Sequence, residues 1–266
     1  MISPLPLSVA IIAKNEEKKI KRCLGSLRDI ASEIILVYND CTDKTVEVAE
    51  SFGAKCFENK WCGHIEQKNF ALKKCTYSWI LCIDADEALS RKLKISIKNF
   101  LKNEEKNQQY DGALFNRCSF FLGKWIRHGD WYPDKKIRIV RNGKASWYGK
   151  NPHDKIILND KGKSKLLKGD LLHYSYNNLR EIPIKAIVFS DLYIANTKNA
   201  GFQTLFISSV LRPFWRFFRS YILRLGFLDG SAGFVIALSI AYETMLRHGR
   251  LWERANLNIE IDKIQK

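Results

Sequence analysis

The first hundred residues alternate continuous apolar runs with helix-forming stretches, and that alternation restricts the fold more than any other feature of the chain. Residues 7–13 read LSVAIIA, 33–38 read EIILVY, and 54–57 and 79–83 repeat the signal. Helical patterns fall between them: one to about Arg28, one through Val46, Val48 and Ala49 that Gly53 ends, and one over 67–74. Strands that are apolar throughout are buried on both faces, which is the mark of a parallel sheet covered by crossover helices. The expectation is an α/β chain with a Rossmann-like, mostly parallel sheet flanked by helices.

From Asp111 to His173 the texture changes to short strand-like pieces, 112–115, 136–140, 155–158 and 171–174, broken by turns such as Arg141-Asn142-Gly143-Lys144. These read as antiparallel additions at a sheet edge. After Asn178 the pattern is helical, with Gly201, Gly226 and Gly230 as breaks. The expected division is a domain over 1–177, in two halves that meet at 110, followed by a helical region over 178–266. Hydrophobic residues at 46% are enough for a full core and exclude disorder. The formal charge of +16 calls for a phosphate-rich partner and says nothing about fold. Seven cysteines, none in a C-x-x-C pair, read as reduced core residues of a cytoplasmic protein. The first seven residues carry Pro4 and Pro6 and no basic flank, unlike a signal peptide. The longest uncharged apolar stretch, near 231–242, falls short of the roughly 20 residues a spanning helix needs. Any membrane contact is therefore expected to be peripheral, at the inner face of the cell membrane.

The sharpest chemical signal is Asp84-Ala85-Asp86-Glu87, placed directly after an apolar strand. Open α/β sheets bind ligands at the carboxyl ends of their strands. Two carboxylates one residue apart suit a divalent cation whose other ligands are diphosphate oxygens. The bland alternative is an acidic solvated turn. Lys14-Asn15-Glu16 and Asn39-Asp40-Cys41-Thr42-Asp43 also follow strands and would face the same crevice, although Thr42 and Asp43 suit helix capping equally well. The segment 123–141, GKWIRHGDWYPDKKIRIVR, has the mixture of rings, bases and acids that furnishes sugar sites, or else packs a core. His173 ends another apolar run and means little by itself. There is no G-x-G-x-x-G, complete P-loop, H-E-x-x-H or G-x-S-x-G.

Taken in order, KNEE after the first strand, the CTDKT turn, Trp61-Cys62-Gly63 leading to Gln67-Lys68-Asn69, ILCIDADE, WIRHGDWYPDKKIRIVR, His153-Asp154 and LLHYSY resemble family 2 inverting glycosyltransferases of the A-type nucleotide-sugar fold. Within that family the chain is most similar to the lipopolysaccharide inner-core β-glucosyltransferase type, including the C-terminal RPFWRFFRSYILRLGFLDG. The resemblance implies transfer of a hexose, glucose by expectation, from UDP-glucose to a sugar hydroxyl of a lipid-linked glycan, with Mg²⁺ or Mn²⁺ as cofactor. It implies metal binding by Asp86 with Asp84 and His173. Nucleotide-sugar contacts would come from Ala13, Asn15, Glu16, Asp40, Gln67, Lys68 and Asp84. Acceptor contacts would come from Trp125, Arg127, His128, Trp131 and Tyr132. The general base would be Asp154, with Asp134 second and Asp130 third. Three positions depart from the family pattern: an Asp is usual directly after the second strand, where this chain has Asn39 before Asp40; His-Glu is usual where it has His153-Asp154; and Asp130 stands where a second Gly is common.

Two other functions compete. A polyprenyl phosphate acceptor would need no general base. A nucleic-acid-binding protein would account for the charge and the 12% aromatic content, but no recognition motif supports it, and none is expected to bind. Between Leu211 and Leu225, Arg212, Arg216, Arg219 and Arg224 interleave with Phe214, Trp215, Phe217, Phe218 and Tyr221, with no acidic residue. On one continuous helix, Arg212, Arg216 and Arg219 would share a face opposite the rings and suit an anionic membrane surface. The bland alternative is a helix packed on the catalytic domain with its arginines solvated.

Overall fold

The computed structural model describes residues 5–151, 153–176, 178–195, 197 and 202–257. The chain forms two compact units: one holds residues up to 118 together with 134–174, and the other holds 119–133 with everything from 175 onward.

In the first unit the strands β1 (Leu7–Ala13), β2 (Glu33–Tyr38), β3 (Lys55–Glu58) and β4 (Trp79–Cys82) are parallel, in the order β3-β2-β1-β4. The helices α1 (Glu17–Gly25), α2 (Thr45–Ser51) and α3 (His64–Lys74) connect them. Alternate residues of β1 feed opposite cores. Val9 and Ile11 pack with Leu24 and Leu27 on one face, while Ala10 and Ile12 pack with Ala71, Leu72 and Trp147 on the other. Two-sided burial is why β1, β2 and β4 are near-continuous apolar runs, whereas the edge strand β3 leaves Lys55 and Glu58 exposed.

Beyond β4 the sheet continues with β5 (Glu87–Leu89), β6 (Gly112–Phe121), β8 (Asp134–Arg141) and β11 (Ser164–His173), in the order β4-β8-β6-β11-β5. The pairs β4·β8, β6·β8 and β11·β5 are antiparallel. The short strand β7 (Lys124–Trp125) pairs with the end of β6. A separate hairpin, β9 (Ala145–Lys150) with β10 (His153–Leu158), covers the α3 side of the sheet through Trp147 and Ile156.

Helix α4 (Arg91–Lys102), followed by the single turn α5 (Glu104–Asn107), is an addition that the strand-helix alternation did not single out. Ser90 caps α4 through the Leu93 amide, and Leu93, Ile97 and Phe100 join the β1 core. Gly169 of β11 has φ +105°, and a Cβ there would lie 2.4 Å from the Leu93 nitrogen, so only glycine lets the strand pass the capped helix end. All seven cysteines are free thiols.

The second unit is helical: α6 (Glu181–Ala195), α7 (Phe202–Phe218) and α8 (Gly230–Leu257). Phe121, Ile126, Ala232, Ile236 and Ile240 form its main core, with Trp131 and Tyr176 against them. The continuous amphipathic helix expected through Leu225 is not formed. α7 ends at Phe218, a π-turn follows over Arg219–Leu223, and Leu225 adopts a left-handed conformation (φ 57°) before α8 begins.

Candidate active site

The carboxyl ends of β1, β2 and β4 open onto one cleft of about 1120 Å³, whose lining residues all belong to the first unit. Three backbone devices assemble it. Asp43 accepts from the Thr45 amide at the start of α2 and from the Glu17 amide at the start of α1, fixing the loops after β1 and β2 to each other. Asn69 of α3 exchanges two hydrogen bonds of 2.9 Å with the Trp147 backbone, and Asn151 accepts from the Ile65 amide. These clamp α3 to the β9–β10 hairpin. Finally, β11 pairs with β5 in a register that sets His173 opposite Glu87, and the Tyr174 amide donates to the Asp86 carbonyl.

The result is a ladder of alternating charge. Lys68 Nζ lies 2.8 Å from Asp154 Oδ2 and 3.0 Å from Asp84 Oδ1. Arg138 Nη2 lies 3.0 Å from Asp84 Oδ2 and 2.8 Å from Glu87 Oε1, and Arg117 stands 3.8 Å beyond. Burial alone would raise the Asp84 carboxyl, but the charges of Lys68 and Arg138 outweigh it and hold the group well below the usual carboxylate range. Glu87, fully enclosed, is pushed up by burial despite Arg138. Burial would lower the Lys68 ammonium, yet Asp84 and Asp154 together raise it. The Nε and Nη1 atoms of Arg138 are buried without a hydrogen-bond partner among the described residues.

Asp86 lines the same cleft and pairs instead with His173. Its Oδ2 lies 3.5 Å from His173 Nε2. Burial opposes its ionisation, but the hydrogen bond and charge of His173 keep the carboxyl below its ordinary value. A carboxylate oxygen beside an imidazole nitrogen is a donor pair suited to a divalent cation that takes its other ligands from a phosphorylated substrate. Among the described residues no three His, Cys, Asp or Glu side chains gather into a metal cage. Asp84, the third member expected, is engaged by the two cations of the ladder.

Ala13, Glu16, Asp40, Gln67 and Lys68 also line the cleft. Burial raises the Glu16 carboxyl. Gln67 is buried and bonded to Asn59. Asn15 is not among the lining residues; its side chain accepts from the Thr42 amide, and it sits at φ 54° in the turn. Asp134 is bound by Arg117 at 2.9 Å and Lys136 at 3.1 Å and is likewise outside the lining. The side chain of His153 lies outside the described residues.

The sequence pattern of glycosyl transferase family 2 matches residues 8–157. An uncharacterised glycosyltransferase of Rickettsia typhi is 31% identical over 261 residues, covering 93% of this chain and 87% of the relative. The chain belongs to glycosyl transferase family 2. The lipopolysaccharide core biosynthesis glycosyltransferase LpsC of Rhizobium meliloti is 26% identical over 259 residues, covering 96% of this chain and 94% of its own. Among solved structures, S. aureus TarS 1–349 in complex with UDP-GlcNAc shares the fold, with a TM-score of 0.50, 14% identity and coverage of 95% and 92%. The protein therefore has the A-type glycosyltransferase fold, a mixed α/β sheet flanked by helices with a helical C-terminal region, and is a transferase.

Within this glycosyltransferase, Arg138, Arg117 and Trp147 line the cleft without having been singled out as site residues. One local signal could have found Arg138: a cation sits inside the apolar run IRIV of β8. The register skips it, since Ala113 pairs with Ile139 and Leu114 with Ile137, and such a bulge re-aims the extra residue. The five residues assigned to the acceptor belong to the second unit. There Trp131 stacks on Tyr176 at 5.2 Å, and the backbone amides of Arg127 and His128 donate to Asp229. His128 Nδ1 also lies 3.0 Å from Asp229, Trp125 meets Phe120 edge-on, and Tyr132 precedes the cis Pro133. Asp130, also in this unit, is surrounded by Arg216, Arg219 and Arg224.

Proposed function

We propose that this family 2 enzyme transfers a hexosyl group, glucose in the first instance, from a uridine diphosphate sugar to a sugar hydroxyl of a lipid-linked core glycan, with inversion at the anomeric carbon. The observation that carries the reading is the shared cleft: the Asp154 carboxylate and the Asp84–Asp86 turn face the same space and are joined through Lys68. The likeness to a protein named for lipopolysaccharide core biosynthesis, over nearly the whole of both chains, supports the acceptor class. TarS, whose structure was solved with UDP-GlcNAc, supports a uridine diphosphate donor.

In this scheme Asp154 accepts the proton of the acceptor hydroxyl as its oxygen attacks the anomeric carbon. The bond to the diphosphate breaks on the opposite face of the sugar. Arg138 is a buried cation at the cleft wall, already oriented by Asp84 and Glu87, so it meets the departing negative charge with little reorganisation, while Lys68 is ion-paired to Asp154 and holds that carboxylate in place. The unpartnered donors of Arg138 suit phosphate oxygens. Asp86 and His173 would hold Mg²⁺ or Mn²⁺, which supplies Lewis-acid neutralisation of the leaving diphosphate. Asp40 and Glu16 stand where the nucleoside would lie, at the ends of β1 and β2.

The test is transfer from a panel of UDP-sugars to a core-glycan lipid, and separately to a polyprenyl phosphate, with Mg²⁺, Mn²⁺ or chelator. Metal-stimulated transfer to the glycan with an inverted anomeric configuration is expected, and Asp86→Ala should abolish it with the fold intact. Full activity of Asp86→Ala at matched stability would overturn the metal assignment. Transfer to polyprenyl phosphate alone, unaffected by Asp154→Asn, would overturn the acceptor class.

A further inference from the structure

The second unit carries an apolar surface that its own core does not use. Half of the exposed large apolar side chains among the described residues fall between Ile207 and Leu238. Phe214 is 73% exposed, Leu211 62%, Leu228 56% and Trp215 55%. They surround the elbow where α7 gives way to α8. Phe217 and Tyr221, by contrast, are only partly exposed and each pack edge-on at 5.7 Å against Phe234, which itself stays 44% exposed. The exposed set is therefore a distinct face of the elbow, larger than the scattered apolar residues of an ordinary surface.

The charges of the segment have one sign where they are exposed. Between Phe202 and Tyr242 the only acidic residue is Asp229, which is buried and bonded to His128. Four arginines accompany it. Arg216 and Arg224 lie 3.0 and 2.9 Å from the enclosed carboxylate of Asp130, and Arg219 lies 3.7 Å away. One carboxylate against three guanidiniums leaves two positive charges, and these side chains are still about a third to a half exposed. Arg212 is exposed one turn earlier. The helical spacing expected Arg212, Arg216 and Arg219 on one face; two of them are instead gathered with Arg224 on Asp130 at the elbow, so the bland alternative of merely solvated arginines does not hold for these two.

No single described helix is long and apolar enough to cross a membrane, and the two helical segments pass that test only as a pair bent by 71°. A crossing would place Arg219 and Arg224, which flank the bend, at the middle of the hydrocarbon, where charge is most costly. At head-group depth the same arginines meet phosphates while the neighbouring rings reach the acyl boundary.

We propose that the elbow over residues 207–228 is a docking surface for an anionic bilayer, lying in the plane of the interface without crossing it. Phe214, Trp215, Leu211 and Leu228 enter the acyl boundary, and Arg212, Arg216, Arg219 and Arg224 bind head-group phosphates. Asp130 holds three of these arginines together. The proposal stands on this surface alone, independently of which sugar or acceptor the cleft takes.

The test uses the full chain with vesicles of phosphatidylcholine, with and without phosphatidylglycerol, at low salt. Wild type should sediment with the anionic vesicles and be released by salt. Phe214→Ser/Trp215→Ser should weaken binding by at least about tenfold, and Arg212→Gln by about fivefold. Both should keep wild-type thermal unfolding and donor turnover, since all three positions are exposed and outside the cleft. Lipids brominated near the head group should quench Trp215, and Trp215→Phe should lose that quenching while still binding. Failure of wild type to bind anionic vesicles overturns the proposal, as does undiminished binding by the Phe214/Trp215 variant. A dimer that this variant dissociates, with no vesicle binding by wild type, would make the face a self-interface and equally overturn it.

Discussion

Arg138→Met is the most revealing perturbation of the cleft, because one guanidinium serves both the enclosed Glu87 and the cleft-facing Asp84. Glu87 has no exposed side-chain surface and takes its closest cation from Arg138 at 2.8 Å. Asp84 loses one of two cations. Removing one partner of a buried pair costs about 3–5 kcal/mol. The lower end, about 3 kcal/mol, applies here because Lys68 remains on Asp84 and Arg117 remains 3.8 Å from Glu87. For a chain of this size the melting temperature should fall by about 6–12 °C.

The loss also depends on pH in a definite direction. Glu87, already pushed up by burial, loses its closest cation with Arg138, so its penalty is present where it is ionised, above about pH 4, and fades as it protonates. Urea unfolding across a pH series should therefore show a gap of about 3 kcal/mol near neutrality that narrows as the pH falls toward about 4.5. Glu87→Gln added to Arg138→Met keeps an acceptor for the Asp84 amide, removes the unpaired charge, and should recover more than half of the gap. A gap under about 1 kcal/mol at neutral pH, or one that does not change with pH, would refute the claim that the ladder is held by buried charge.

Asp154→Asn should lower kcat by about 10²-fold or more while donor KM barely moves, measured by steady-state transfer. Unchanged kcat with weakened donor binding would move the base to another carboxylate. Glu33 accepts from Ser8 Oγ at 2.6 Å, the Thr76 amide at 2.9 Å and Lys55 at 3.0 Å, and although burial opposes it, these bonds hold its carboxyl below the ordinary value. Its stabilisation is present above the unfolded pKa and lost as pH falls through the folded one. Glu33→Gln should thus cost about 1–3 kcal/mol at neutral pH, with the gap closing in acid. An equal gap at neutral pH and at about pH 3 would show that ionisation of Glu33 is not what stabilises the fold.

What the chain's residues determine locally is legible in the sequence. The bounds of β1 and β2 follow from apolar runs that are buried on both faces, and the Asp84-Ala85-Asp86 turn sits at the end of β4 because a parallel strand places its loop there. The bond from the Thr45 amide to Asp43, two residues earlier, is likewise a short-range preference. Other features needed the packed chain. Lys68 and Asp154 meet only because Asn69 and Asn151 clamp α3 to the β9–β10 hairpin. His173 reaches Asp86 only through the β5–β11 register. Arg138 enters the cleft through a bulge that no periodicity announces, since a period of two fixes a face only while the ladder stays in step. The C-terminal arginines show the same limit. Helical spacing put Arg212, Arg216 and Arg219 on one face, but α7 stops at Phe218, and the partner that gathers Arg216, Arg219 and Arg224 is Asp130, far away in sequence. Propensity and hydrophobic period act over a few residues, so they specify elements; charge pairing at about 3 Å is a contact between elements, and only the tertiary fold decides which ones meet.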